Sequence, residues 1–339
     1  MMGYEVQQNR AVTLKYLAPD AVDAYLAQCG DRVVCVVGFG SNPAPNKKPG
    51  RPLLWVDTPV LGSDAAYEIW TSNKPATQYQ DELMTGAGNE DIFFGRLSFQ
   101  NNTAEDLGEV ALRAFSGIFE FLQRNNHLNL IRVWNYFPEI NAIENDMERY
   151  RSFSIGRHEA FVRYRKKVED SPAACALGSH GGSLAIYFIA TRSPGLQIEN
   201  PRQISAYNYP EQYGPRSPTF SRATLAFQDA APTLFISGTA SILGHETVYP
   251  ASVSLQTRET LVNIRTVIAQ AVQKGFAPMD FASGLALKVY VRHAEDFPEV
   301  ANIIQKELGN PAELIVLQAD ICRTDLLVEI EAVCWGHAR

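Results

Sequence analysis

Apolar residues recur along this chain at two spacings, and the switches between them predict its elements. Asp91-Ile92-Phe93-Phe94-Gly95 reads as a buried strand, and from Glu105 to about Gln123 the residues Val110, Ala114, Ile118 and Leu122 recur at helical spacing. Leu128 to Asn135 then reads as a second strand. The pattern returns in Leu234-Phe235-Ile236-Ser237-Gly238, in a helix from Gln256 to about Gln273 with Leu261, Ile264, Ile268 and Ala271 on one face, and in the strand Leu285 to Arg292. Both second strands carry a basic residue between apolar ones, Arg132 and Lys288. Near the C-terminus Val328, Ile330 and Ala332 alternate with Glu329 and Glu331, as in a strand with one apolar face.

Strand-helix-strand units are common, but two so alike in order favour duplicated fold halves of α/β (α+β) class. The polar, small-residue stretch from Glu169 to Gly182 is the expected boundary, giving one domain over 1–172 and a second over 173–339. A Pro- and Tyr-rich loop from Asn200 to Ser221 precedes the second unit's Gly238 strand, and loops of that length are often functional.

Charge and cysteine usage narrow the function class. A formal net charge of -7 over 339 residues argues against nucleic acid, which needs a surplus of Lys and Arg. Five scattered cysteines without a C-x-x-C pair suit a reducing compartment and argue against a zinc site or disulfide framework. The N-terminus MMGYEVQQNRAV lacks the apolar stretch of a signal peptide and no run approaches membrane-spanning length, so a cytoplasmic protein with no membrane partner is expected. Gly38-Phe39-Gly40-Ser41-Asn42-Pro43 follows a strand but lacks the third glycine of a dinucleotide loop, and Pro43 and Pro45 delay any helix, so it reads as a tight turn. The six histidines show no H-x-x-x-H pairing, and no metal is expected. That leaves carboxylates, arginines and tyrosines to carry the chemistry.

Three segments supply them. In Glu148 to His158, Tyr150 and Arg157 are seven apart and share a helix face, an arrangement that suits a carboxylate, although a solvated basic face would carry the same residues. Tyr207-Asn208-Tyr209-Pro210-Glu211-Gln212-Tyr213-Gly214-Pro215-Arg216-Ser217-Pro218 is a stiffened loop that fits either an anion clamp or a lid packed over the core. In Cys322 to Val333 the acids of the alternating strand would ordinarily face water; lining a closed cleft instead, one would become a proton donor near neutrality.

Taken with Trp134-Asn135-Tyr136-Phe137-Pro138, Glu148-Arg149-Tyr150-Arg151, Gly156-Arg157-His158, Tyr213-Gly214-Pro215-Arg216-Ser217-Pro218, Ser237-Gly238-Thr239-Ala240-Ser241 and Val328-Glu329-Ile330-Glu331, the chain resembles the chorismatases from about Leu128 to its C-terminus. The first hundred residues match only loosely. The C-terminal half also resembles the wider RidA/YjgF group, a mixed sheet with two helices on one face.

The resemblance implies two RidA-like units with a pocket between them, and a cofactor-free enzyme that removes the enolpyruvyl group of chorismate and releases pyruvate. Relatives of this kind supply hydroxybenzoate or dihydrocyclohexadienoate units to secondary metabolites, aryl polyene pigments among them. It implies substrate contacts from Tyr150 and Arg157 on one wall and from Tyr213 and Arg216 on others, with Tyr207 a further candidate. Glu329 maps onto the family's catalytic acid. Ala240 and Cys322 map onto the positions that steer the product; Ala240 is of the hydrolase type and Cys322 of the 3-hydroxybenzoate-forming type, and the expectation follows Cys322. Some relatives also release 4-hydroxybenzoate. The other readings are a chorismate hydrolase, a RidA-like enamine or imine deaminase, and a non-catalytic small-ligand-binding protein. A monomer or weak oligomer is expected.

Overall fold

The computed structural model describes residues 10–41, 53–62, 66–99, 106–125, 129–227 and 231–337. Most of the N-terminal segment read for a leader, Asn42, Pro43 and Pro45 after the glycine turn, Glu105, His127 and Leu128 lie outside these residues.

Three sheets carry the chain. The first contains β1 (Val12–Leu17), β2 (Val33–Phe39), β3 (Leu54–Val56) and β4 (Ala66–Ser72), in the order β1-β4-β2-β3, with helix α1 (Pro19–Cys29) between β1 and β2. The second is built from β5 (Thr77–Gln80), β6 (Thr85–Gly88), β7 (Ile92–Ser98), helix α2 (Leu107–Arg124) and β8 (Asn129–Pro138). A short hairpin of β9 (Ile143–Glu144) and β10 (Met147–Glu148) leads into helix α3 (Arg149–Arg163), and β11 (Ala173–Ser179) and β12 (Ala185–Thr191) complete the sheet. The third takes β13 (Leu196–Ile198), β14 (Ala223–Ala226) and β15 (Thr233–Ala240), then a hairpin of β16 (Ile242–Leu243) and β17 (Glu246–Thr247). Helix α4 (Val253–Gln273), the single turn α5 (Phe281–Gly284), β18 (Leu285–Val291), helix α6 (Phe297–Leu308), β19 (Glu313–Gln318), β20 (Asp320–Ile321) and β21 (Val328–Trp335) follow.

The duplication is visible in the winding. The second sheet runs β11-β8-β12-β7-β6-β5 and the third β19-β18-β21-β15-β14-β13, with the parallel pair, β8 with β11 or β18 with β19, at corresponding places. The first sheet repeats the core of the same winding: β1, α1, β2, β3 and β4 stand to one another as β15, α4, β18, β19 and β21 do. The loosely matching first hundred residues therefore contain a shortened third copy.

The unit boundary differs from the expected 172/173. β11 and β12 both pair within the second sheet, so the changeover lies between Thr191 and Leu196. Ala173-Ala174-Cys175-Ala176 looks like linker because its residues are small, but each is buried in a parallel ladder with β8. β20 crosses back and pairs with β11, carrying the following residues, Cys322 onward, to the edge of the second sheet.

Helices cover one face of each larger sheet. α2 and α3 bury Phe115, Ile118, Phe119, Phe153 and Phe161 against one, and α4 and α6 bury Leu261, Ile264, Val300 and Ile304 against the other. The opposite faces of all three sheets meet in one shared core, with Trp70, Trp134, Tyr187, Tyr290 and Trp335 at its centre.

Candidate active site

β21 is buried along its whole length, so both of its faces are inside. Val328, Ile330 and Ala332 pack toward the helices, while Glu329 and Glu331 project toward the second sheet. The two acids are 4% and 5% exposed, a burial that carboxylates tolerate only with partners or as neutral acids.

Glu331 has the partners. Arg132 Nη2 donates to it at 2.5 Å, Trp134 Nε1 at 2.7 Å, and Lys288 Nζ lies 3.0 Å away. Burial pushes its carboxyl up, but Lys288 and Arg132 outweigh that and hold it below the ordinary glutamate value. Lys288 also pairs with Glu68 of β4 at 2.5 Å and donates to the Tyr187 hydroxyl at 2.7 Å. The basic residues marked in the two second strands thus meet on one carboxylate.

Glu329 has no such partner among the described residues and faces an open cavity. Burial first, and then repulsion from Glu331, raise its carboxyl to about 8, against a weaker pull from Arg132. One strand therefore holds an ionised acid and a neutral one two residues apart, a separation of roles typical of general-acid sites.

The facing strand is shaped around Glu329. Ala240 of β15 pairs with it, and the register of β15 against β21 slips between Ile236 and Thr239, where Ser237 and Gly238 sit. A Cβ on Gly238 would stand 1.9 Å from Glu329 Oε1, so only glycine leaves the carboxyl its place.

The cavity holds about 470 Å³, within the range of small-ligand sites. A small adjoining pocket of about 30 Å³ shares Tyr150, Gly238, Cys322 and Glu329 with it and adds Arg157 on α3 and Cys175 and Ala176 on β11. α3 approaches α2 closely because Gly156 has no side chain; a Cβ there would meet Gly108 O at 1.9 Å. That contact seats Arg157, the next residue, 2% exposed beside Phe115 and Phe153. Its Nε and Nη2 have no hydrogen-bond partner, and desolvation pulls the guanidinium below the ordinary arginine value. A buried cation with two unused donors is matched by a carboxylate. The Tyr150 phenol stays protonated, raised first by burial.

The second unit and its loops supply the other walls. Tyr213 and Cys322 line the cavity as expected, and the Cys322 thiol, pushed up to about 12 by burial and by Glu329, is no nucleophile near neutrality. Arg216 does not belong to the lining: Gly214, at φ 136°, and the prolines on either side of Arg216 turn it outward, where it is exposed and its charge acts on His158. Tyr207 is half-buried and also outside the lining.

Two unmarked arginines stand there instead. The Arg323 guanidinium lies 3.9 Å from the centre of the Tyr213 ring and donates to His245 O. Arg222 donates from Nη2 to Ile204 O and the Tyr209 hydroxyl and keeps Nε unpartnered. Arg323 follows Cys322 directly and was within reach of the motif; Arg222 has no sequence signal beyond its place after the long loop.

These walls bring cations from both units around a neutral carboxylic acid, an arrangement whose charges fit a small acid with two carboxylates. Comparison with known proteins gives the class a family. Residues 68–190 match the family model described as chorismatase FkbO/Hyg5-like, N-terminal. The chain is 36% identical over 319 residues to a 3-hydroxybenzoate synthase of Streptomyces hygroscopicus, covering 90% of this chain and 92% of that one. It is 37% identical over 294 residues to a chorismatase of Streptomyces rapamycinicus, covering 84% and 86%. A crystal structure of a chorismatase superposes with a TM-score of 0.85 at 30% identity, over 96% of this chain and 98% of that one. The chain belongs to the chorismatase family.

Proposed function

We propose that the protein is a chorismatase that converts chorismate to pyruvate and 3-hydroxybenzoate, with Glu329 as the proton donor. The observation that carries this is the Glu329 carboxyl, buried, unpaired and raised to about 8 at the wall of the cavity. Protonating the methylene carbon of an enol ether requires an acid that still holds its proton near neutrality, and an ordinary glutamate does not. Arg157 and Tyr150 take one carboxylate of the substrate and Arg323, stacked on Tyr213, takes the other; Arg222 adds positive potential between them.

Protonation at the methylene gives an oxocarbenium-like side chain, which the ring's own hydroxyl displaces. The ring then loses a proton to Glu329 and becomes aromatic, so no water is consumed and chorismate divides into pyruvate and hydroxybenzoate. The Cys322 thiol beside Glu329 supports this outcome over hydrolysis, as does the 3-hydroxybenzoate synthase among the relatives. Incubation with chorismate, pyruvate detection by lactate dehydrogenase and chromatography of the aromatic product test the assignment. Equal amounts of pyruvate and 3-hydroxybenzoate are expected. A dihydroxycyclohexadiene acid in place of the aromatic would overturn the water-free route, and absence of pyruvate would overturn the whole reading.

A further inference from the structure

The cluster behind Glu329 has a feature that the reaction itself does not use. Four charged side chains, Glu68, Lys288, Glu331 and Arg132, are buried together at the meeting of the three sheets, with Lys288 and Glu68 at 1% and 0% side-chain exposure. Glu68 is the contribution of the N-terminal sheet, held by hydrogen bonds from Trp70 Nε1 at 2.6 Å and the Tyr187 hydroxyl at 3.2 Å. The alternation in Tyr67-Glu68-Ile69-Trp70 puts Glu68 and Trp70 on one face of β4, turned into the shared core.

Two carboxylates and two cations balance. Without Glu68 the cluster would carry a net positive charge next to Glu329, and a nearby positive charge favours the ionised form of an acid. We propose that Glu68 is a positioning residue for the proton donor: as the counter-charge to Lys288, it allows a lysine to be buried beside Glu331 without drawing the proton off Glu329. The shortened third copy of the fold would then do more than close the core, because it delivers this charge. The inference rests on Glu329 being the acid proposed above.

The groups around both ends fix what else can act. Glu329 is faced by Glu331 on its own strand, Tyr290 from β18, Arg132 from β8, Cys175 from β11, Tyr150 and Arg157 from α3, and Cys322 and Arg323 from the loop after β20; Arg222 stands at the rim. Lys288 is faced by Glu331, Glu68, Tyr136, Tyr187, Tyr16 and Cys35. The tyrosines and cysteines of this set are raised by burial and stay neutral near pH 8, so Glu68 is the charge that balances Lys288 from the N-terminal side.

The test is the pH dependence of pyruvate release in the full chain. The rate should fall as pH rises through about 8, where Glu329 loses its proton. Glu68→Gln should move this alkaline limb down by about one pH unit, the effect of one charge on the order of 10 Å away through an effective dielectric of about 20. The charge-balanced Glu68→Gln/Lys288→Met pair removes a nearer cation with the carboxylate and should move the limb up. An unmoved limb in folded Glu68→Gln, or displacement of both variants in the same direction, overturns the proposal. If the single variant does not fold, the pair decides: a limb at or above the wild-type position supports the role, and one below it refutes it. A wild type that releases no pyruvate refutes the function instead; infrared titration of the Glu329 carboxyl in wild type and Glu68→Gln, without substrate, then reads the same displacement.

Discussion

Replacing Glu329 with glutamine should stop turnover and at the same time stabilise the protein, by an amount that depends on pH. The Glu329 carboxyl sits at about 8 in the folded chain against an ordinary value of 4.5. Below pH 4.5 it is protonated in both folded and unfolded states and contributes nothing to the difference. Between 4.5 and about 8 the unfolded chain binds fewer protons than the native one, so native stability falls as pH rises, by about 1.4 kcal/mol per unit. Above about 8 the loss is complete, at a ceiling of about 5 kcal/mol for an interval of about 3.5 units. Water in the cavity will relieve part of it, so about 2–4 kcal/mol is the expected gain for Glu329→Gln at pH 8, falling below about 1 kcal/mol at pH 5. Urea denaturation of wild type and variant at the two pH values measures this. A stability difference of the same size at pH 5 and pH 8 would mean that the carboxyl is not raised in the folded protein, and the assignment of the acid would fail with it.

Other substitutions probe the rest of the site. Arg157→Ala should weaken substrate binding by about 2–5 kcal/mol, because it removes a desolvated partner of a carboxylate; an unchanged Michaelis constant would return Arg157 to a packing role. Gly238→Ala places a methyl group on the Glu329 carboxyl and should lower kcat at least about tenfold by displacing the acid, an expectation that normal kcat would refute. Arg132→Met removes one of the two cations paired with Glu331, and denaturation should show a loss of about 3–5 kcal/mol, as for a broken buried ion pair.

Much of the fold was legible because periodicity survives burial. The helices around Ile118 and Ile264 and the alternation in β21 are where the spacing put them, since one face of each helix packs on a sheet and the apolar face of β21 packs on helices. β11 was not legible: its alanines and cysteine resemble a linker, and only their burial in the ladder beside β8 marks them as a strand. The third copy of the winding was missed because β3 spans three residues and the copy lacks the outer strands that mark the other two.

The site divides in the same way. Helical spacing put Tyr150 and Arg157 on one face and strand alternation set Glu329 apart, but only the family motifs marked them as site candidates. Why Glu331 is ionised and its neighbour Glu329 is not was not readable, because the cations that hold Glu331, Arg132 and Lys288, lie far apart in sequence and meet on it only where the sheets pack. Arg216 was misplaced for a local reason. Proline-rich loops fix the backbone well, but which way a side chain on them points depends on turns such as that at Gly214.

The protonation state of Glu329 can be observed without substrate. Infrared difference spectra between wild type and Glu329→Gln isolate this one carboxyl, and a titration from pH 5 to pH 10 follows it. The expected result is the carbonyl stretch of a protonated acid at neutral pH, giving way to carboxylate bands as the pH passes about 8. Carboxylate bands already dominant at pH 6 would contradict a glutamic acid poised to protonate an enol ether.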